Sequence, residues 1–476
     1  MEQMVGFDNE KYIAEQASYI RERMRNFDGR LYIEFGGKLL ADLHAARVLP
    51  GYDPNVKARL LKELQSDAEI IVCIHAGAIE ERKMRADYGI TYDAEAMRLI
   101  DDLGDWGLSV SSVVVTRWQG EPAAKAFMTK LQNRGIRVYT HEPTRGYPTD
   151  IDLIVSEDGY GANPRIEVTK PLVVVTGPGP GSGKMATCLS QIYHDTRLGQ
   201  RALYAKFETF PIWSLPLKHP VNIAYEAATL DLHDANLIDP FRSPTEMGVN
   251  RAGFAIVNDD ICREAAKQEV VRRYLRCVSE YAVGIADKAQ FEKADLLMKQ
   301  LSLTPEYRKV VPEARAAAEN ARIAAESGMD EDRKGLSVHC GAALELPSGQ
   351  IVTGKNSTLL HAATAAILNA AKYLAGVPDD IPLLSPLVIE SIGKLKREVF
   401  HRKNASLDVD EMLIALSIGA TLTPMVQVCV NTLIRLRGCK MHLTHVPTPG
   451  DEAGLRKLGI NLTADTLFAS KRLFEE

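Results

Sequence analysis

Through its first 180 residues the chain alternates stretches of helical periodicity with short β-branched runs, and no other feature constrains the fold as tightly. Over 9–24 the apolar residues Tyr12, Ile13, Tyr19, Ile20 and Met24 recur at helical spacing, and RLYIEFGG (30–37) follows as a strand ending in two glycines. The pattern repeats with a helix over 56–64, the strand EIIVCIHAG (69–77), a helix over 93–103 and the strand SVSSVVVTRW (109–118). A helix over 123–133 and the strand IRVYTH (136–141) come next, and IDLIVS (151–156) and KPLVVVTG (170–177) read as two further strands. Continuous Val/Ile runs mark strands buried on both faces, so the expectation is an α/β chain opening with a Rossmann-like parallel or mixed sheet.

The signal changes at residue 259. Up to 334 the chain is rich in Ala, Glu, Lys and Arg without strand runs, which predicts a helical unit with Thr304-Pro305 as a helix start. From 335 two strands joined by Pro347-Ser348-Gly349 and the Ala-rich helix LLHAATAAILNAAKYLAG predict a further α/β domain. The expected domains are therefore 1–258, 259–334 and 335–476. A chain of 476 residues is long enough for several cores of this kind.

Composition narrows the partners. With 57 Lys+Arg against 62 Asp+Glu the net charge is −5, which gives no electrostatic footprint for wrapping a polyanion, so nucleic acid is not an expected partner. No stretch approaches the roughly 18 apolar residues needed to span a bilayer, and the start has no signal-peptide core, so no membrane partner is expected. The seven cysteines are scattered, odd in number and form no C-x-x-C pair, which reads as a reduced, cytoplasmic chain. A symmetric homo-oligomer is the expected assembly.

The segment PLVVVTGPGPGSGKMATCLSQIYH (171–194) joins a buried strand to a helix through four glycines and one lysine. Glycines let backbone N–H groups converge on an anion, the helix start adds positive dipole, and Lys184 adds a full charge. Five residues separate Gly177 from Gly183, one more than in a Walker A loop, and Met185 stands where a Ser or Thr would hold Mg²⁺. The readings are a phosphate loop of non-standard geometry, a P-loop variant using Thr187, or a structural turn. The candidate ligand-binding residues are Gly177, Gly179, Gly181, Ser182, Gly183, Lys184 and Thr187. Downstream, AKFETFPIWSLPLKHPVNIAYEAATLDL (205–232) follows an irregular path set by prolines, and Lys218 and His219 are its candidates for a second anion contact or proton transfer.

Other signals are weaker. Cys439, His442 and His445 are spaced like helical metal ligands, but Pro447, Pro449 and the alternation of Met441 with Leu443 predict a strand, so no metal site is expected. His75 ends a strand at a carboxyl edge, where a packed histidine and a ligand contact are both open readings.

The stretches YIEFGGKLLADLHAARVLPGYDP, GYPTDIDLIVSEDGYG, PLVVVTGPGPGSGKMATCLSQIYHD and KFETFPIWSLPLKHPVNIAYEAAT resemble, with others along the whole chain, a bacterial family of cytosolic proteins of about this length defined only as a domain of unknown function. The resemblance implies no activity, and the absence of H-E-x-x-H and G-x-S-x-G leaves nothing to support a protease. In that family a longer stretch separates the DPF and SPT motifs than the near-direct junction of Asp239-Pro240-Phe241 with Ser243-Pro244-Thr245. The C-terminal region is similar in strand and helix order to cytidine deaminases, but Ala363 replaces their catalytic Glu and no P-C-x-x-C follows, so zinc deamination is not implied. The expected function is binding of a nucleotide such as ATP, with Mg²⁺, or of another phosphorylated small molecule, coupled to phosphoryl transfer; the alternative is a non-catalytic phosphometabolite sensor or scaffold.

Overall fold

The structure is a computed structural model that describes residues 5–85, 89–232, 248–329, 336, 338–402 and 404–470. The described residues fall into two compact units, one holding 5–228 and 248–267, the other 229–232 and 268–470.

The first unit is built on a seven-stranded sheet. Its strands are β1 (Arg30–Phe35), β2 (Ala68–His75), β5 (Val110–Thr116), β6 (Val138–His141), β7 (Leu172–Thr176), β8 (Ala202–Phe207) and β9 (Gly248–Val249), while β3 (Met84–Arg85) and β4 (Ile90–Thr91) pair antiparallel apart from it. The order is β6-β5-β2-β7-β1-β8-β9, and every pairing is parallel. All five residues of β7 are buried, as a central strand covered on both faces requires. Tyr32, Ile71, Cys73, Val114, Val173 and Val175 share one buried cluster with Cys188, which carries the helix Lys184–Arg197 onto that face. Burying each such Val or Ile is worth about 1.5–3 kcal/mol.

The strand order decides where a ligand can enter. The chain leaves β2 toward β5 and leaves β7 toward β8, on opposite sides, so the connections after these neighbouring strands diverge and open a crevice at their carboxyl ends. The glycine-rich loop lies there.

One expected strand is a helix. Residues Ile151–Ile154 form a single helical turn because the Asp150 side chain accepts the Leu153 N–H 3.1 Å away, and the turn at Gly146 feeds it through Asp150 N–H to Gly146 O. The capping carboxylate outcompetes the strand tendency of the apolar run.

The second unit carries β10 (Gly341–Glu345), β11 (Ile351–Lys355), β12 (Lys440–Leu443) and β13 (Asn461–Ala464) in the order β11-β10-β12-β13. β10 is antiparallel to both neighbours and β12 is parallel to β13, so this second sheet is mixed. The helix Ala362–Ala375 buries nine residues against this sheet's core. The helical stretch 259–334, expected as a unit of its own, is divided between the two units at 267/268. Its last helix, Val310–Glu326, packs Val310 and Ala314 on Ala343 of β10, so it is a layer of the second sheet. Among the described residues no helix is long and apolar enough to cross a membrane.

Candidate functional site

Each glycine of the loop 177–183 meets a different constraint. A Cβ on Gly177 would lie 2.4 Å from the Cys73 carbonyl oxygen, and one on Gly179 would lie 2.6 Å from the Tyr92 ring. Gly183 has φ +85° and faces the Thr116 side chain, 2.7 Å from where a Cβ would be; Gly181 has φ +68° but open space around it. The Thr116 hydroxyl, at the end of β5, donates to Ser182 O at 2.9 Å and ties the loop to the sheet edge.

Gly183 is the N-cap of the helix Lys184–Arg197 and makes no side-chain cap. The first helical N–H to bond is that of Thr187, to Gly183 O at 3.0 Å. Among the described residues the backbone N–H groups of Gly179, Gly181, Ser182, Gly183, Lys184 and Met185 donate to no acceptor. A helix start with free donors is an anion site by its own electrostatics.

Lys184 is 9% exposed and folds back over the loop, its Nζ 3.2 Å from Gly179 O and 3.3 Å from Ser182 Oγ, while Ser182 Oγ donates to Gly179 O at 3.0 Å. Burial pulls the ammonium below its ordinary pKa, against the opposing pull of the Glu34 carboxylate. Glu34, 9% exposed on β1, accepts the Tyr204 hydroxyl at 2.8 Å. Tyr204 is pushed well above an ordinary phenol, first by burial and then by Glu34. At the end of β8, Lys206 pairs with Glu208 at 2.6 Å.

The hydroxyls of the loop region are committed. Thr187 is fully buried and takes the Cys73 thiol at 3.4 Å, and Met185 is exposed. No Ser or Thr is presented as a metal ligand in the manner of a Walker A loop. Among the described residues no group of three or more His, Cys, Asp or Glu is placed to hold a metal ion.

The structure does not tie Lys218 or His219 to this loop by any hydrogen bond or ion pair among the described residues. Lys218 is exposed. His219 is 2% exposed; its Nδ1 accepts the Val221 N–H at 3.3 Å and its Nε2 lies 3.1 Å from Asp259 Oδ1, so both ring nitrogens anchor the start of the helix Pro220–Ala228. His75 ends β2 with its ring against Gly77, and burial pulls its pKa down. The residues that sequence reasoning passed over are Thr116, Tyr92, Glu34 and Tyr204. Glu34 carried a signal, an acid inside the strand RLYIEF, whereas the others became visible only once the chain was folded.

An α/β protein with a glycine-rich helix start at the switch point of a parallel sheet is the class this geometry defines. The sequence comparisons assign the family. The profile of the domain of unknown function DUF1846, N-terminal, matches residues 5–242 and 240–302, and that of its C-terminal counterpart matches 306–474. The chain belongs to this family. It is 48% identical over 506 residues to a UPF0371 protein of Clostridium botulinum (strain Eklund 17B / Type B), with 99% of each chain covered. It is equally 48% identical over 507 residues to the UPF0371 protein of strain Kyoto / Type A2, again with 99% of each covered. An alignment of 506 positions on a chain of 476 leaves positions of the relative without counterpart here, and the N-terminal profile breaks at 240–242, at the DPF motif. The junction 239–245 itself lies outside the described residues.

Proposed function

We propose that the loop 177–184 binds the phosphate of a nucleotide or another phosphorylated small molecule. The observation that carries the reading is the run of backbone N–H groups from Gly179 to Met185 without acceptors, at the start of a 14-residue helix and beside the Lys184 ammonium. An arriving phosphate would take over Lys184 from Gly179 O and Ser182 Oγ and restore the charge partner that burial now denies it. The commitment of Thr187 to Cys73 and the outward position of Met185 favour binding without a loop-held Mg²⁺, which supports the sensor reading over phosphoryl transfer. Lys218 is exposed, and His219 would first have to release Val221 and Asp259 before it could serve a ligand.

Thermal denaturation with ATP, GTP or inorganic phosphate, each with and without Mg²⁺, tests the reading. A ligand at 100 times its Kd stabilises by about 2.7 kcal/mol. Stabilisation by at least one of the three, lost in Lys184→Ala, is expected, and its absence with all three refutes a phosphate site. Hydrolysis of ATP or GTP that survives purification and disappears in Lys184→Ala would restore the enzyme reading.

A further inference from the structure

The second unit gathers chemistry at one edge of its sheet that the phosphate loop does not use. β11 and β12 run in the same direction, and the residues following β11 carry His361 while those following β12 carry His445 and Asp451. His361 stands immediately before the helix Ala362–Ala375, and its Nδ1 lies 2.8 Å from Asp451 Oδ2. Asp451 is fully buried and held on its other sides by the Val409 N–H at 3.0 Å and the Thr448 hydroxyl at 2.9 Å. A carboxylate so held fixes the imidazole as the Nδ1–H tautomer. His361 keeps 15% of its side chain exposed, and its Nε2 has no partner among the described residues.

Beside this pair stands a second imidazole. His445 is 2% exposed, has no hydrogen-bond partner among the described residues, and lies within electrostatic range of both His361 and Asp451. A buried imidazole with an empty Nδ1 is costly unless something occupies that position.

We propose that this edge is a second ligand site, in which His361 Nε2 acts as a general base on a small polar molecule held against His445. The lone pair of Nε2 takes a proton from a ligand hydroxyl or from a water, and the imidazolium that results faces Asp451, which carries the opposite charge. The charged groups around His361 are Asp451, Asp408 and Lys396, and Lys396 is already paired with Glu411 at 2.7 Å. Two carboxylates beside one histidine repel an anion, so the ligand class is neutral or cationic, unlike that of the loop 177–184. The inference is independent of the phosphate reading.

Carbethoxylation of the intact chain by diethyl pyrocarbonate, followed by peptide mass spectrometry across pH, tests it, because only unprotonated imidazoles react. The urea-denatured chain supplies the reference midpoint for the same residue. His361 is expected to label in the folded protein with a pH midpoint above that of the same residue in the urea-denatured chain, and in Asp451→Asn the midpoint is expected to fall. Inorganic phosphate is expected to leave the labelling rate unchanged. Labelling of His361 only on unfolding, an unchanged midpoint in a folded Asp451→Asn, or protection by phosphate each overturns the proposal. Because Asp451 also supports Val409 and Thr448, nitrogen NMR of the wild-type imidazoles serves as a second measurement. The neutral His361 must carry its proton on Nδ1, and an Nε2–H tautomer overturns the proposal.

Discussion

Gly181 and Gly183 both occupy left-handed backbone, yet they constrain the loop differently. At Gly181 an alanine would meet nothing, so the cost is the backbone conformation alone, about 1 kcal/mol. At Gly183 the same strain is joined by overlap with Thr116, the residue that anchors Ser182, so Gly183→Ala should cost more than about 2 kcal/mol and displace the helix start. Urea denaturation of the two variants, with phosphate binding measured on each, checks the ranking; equal losses would show that the Thr116 contact does not constrain the loop. His219 teaches a related lesson. Its position after Lys218 suggested proton transfer, but a histidine that caps a helix with one nitrogen and meets a carboxylate with the other has a complete structural role.

At the scale of elements, the approach to the loop is set by a carboxylate 100 residues before the first backbone group it holds. Glu69 at the start of β2 is 9% exposed, and its Oε1 accepts the N–H groups of Thr169 and Lys170, both at 2.6 Å, immediately before β7. This double contact sets β7 beside β2 and therefore aligns the glycine loop with the end of β2. Glu69→Ala leaves two donors without their acceptor and should destabilise the first unit by about 1–3 kcal/mol, whereas Glu69→Gln keeps an acceptor oxygen and should cost less. Chemical denaturation of the two variants distinguishes them. The same competition between local and long-range partners explains the segment 151–156. Its apolar run reads as a strand, but Asp150 supplies a cap within three residues, and no neighbouring strand offered as much.

Over the whole molecule, burial shapes the response to pH and to thiol reagents. His141 in the first unit is 3% exposed and His445 in the second is 2% exposed, and burial pushes both down to about 4. Between pH 6.5 and 4 the unfolded chain binds protons that the folded chain refuses, so stability falls as pH falls through that window. His361 acts in the opposite sense: Asp451 raises it against the effect of burial, so its contribution is full below pH 6.5 and is lost as pH rises through its folded pKa. Denaturation midpoints should therefore drop from pH 6.5 to 4.5, and less steeply in His141→Asn; a flat profile would contradict the burial of these rings. All seven cysteines are free and buried, and burial pushes Cys73 and Cys262 up to about 12. Ellman's reagent should find no fast-reacting thiol in the folded protein and seven after denaturation.

The amino-acid sequence by itself determined the parallel sheet, the strand-loop-helix at 171–194 and the α/β character of the C-terminal region. These follow from periodicity, from β-branched runs and from glycine, all properties of neighbouring residues. It also marked Lys184 and the glycines, because anion-binding loops are local in sequence. Only the tertiary structure decided that β7 lies between β2 and β1, that Thr116 and Glu34 border the loop, and that the helix Val310–Glu326 belongs to the second sheet. It likewise brought His361 to Asp451 across 90 residues. Strand order and side-chain partnership depend on which distant surfaces bury each other best, and no local pattern encodes that choice.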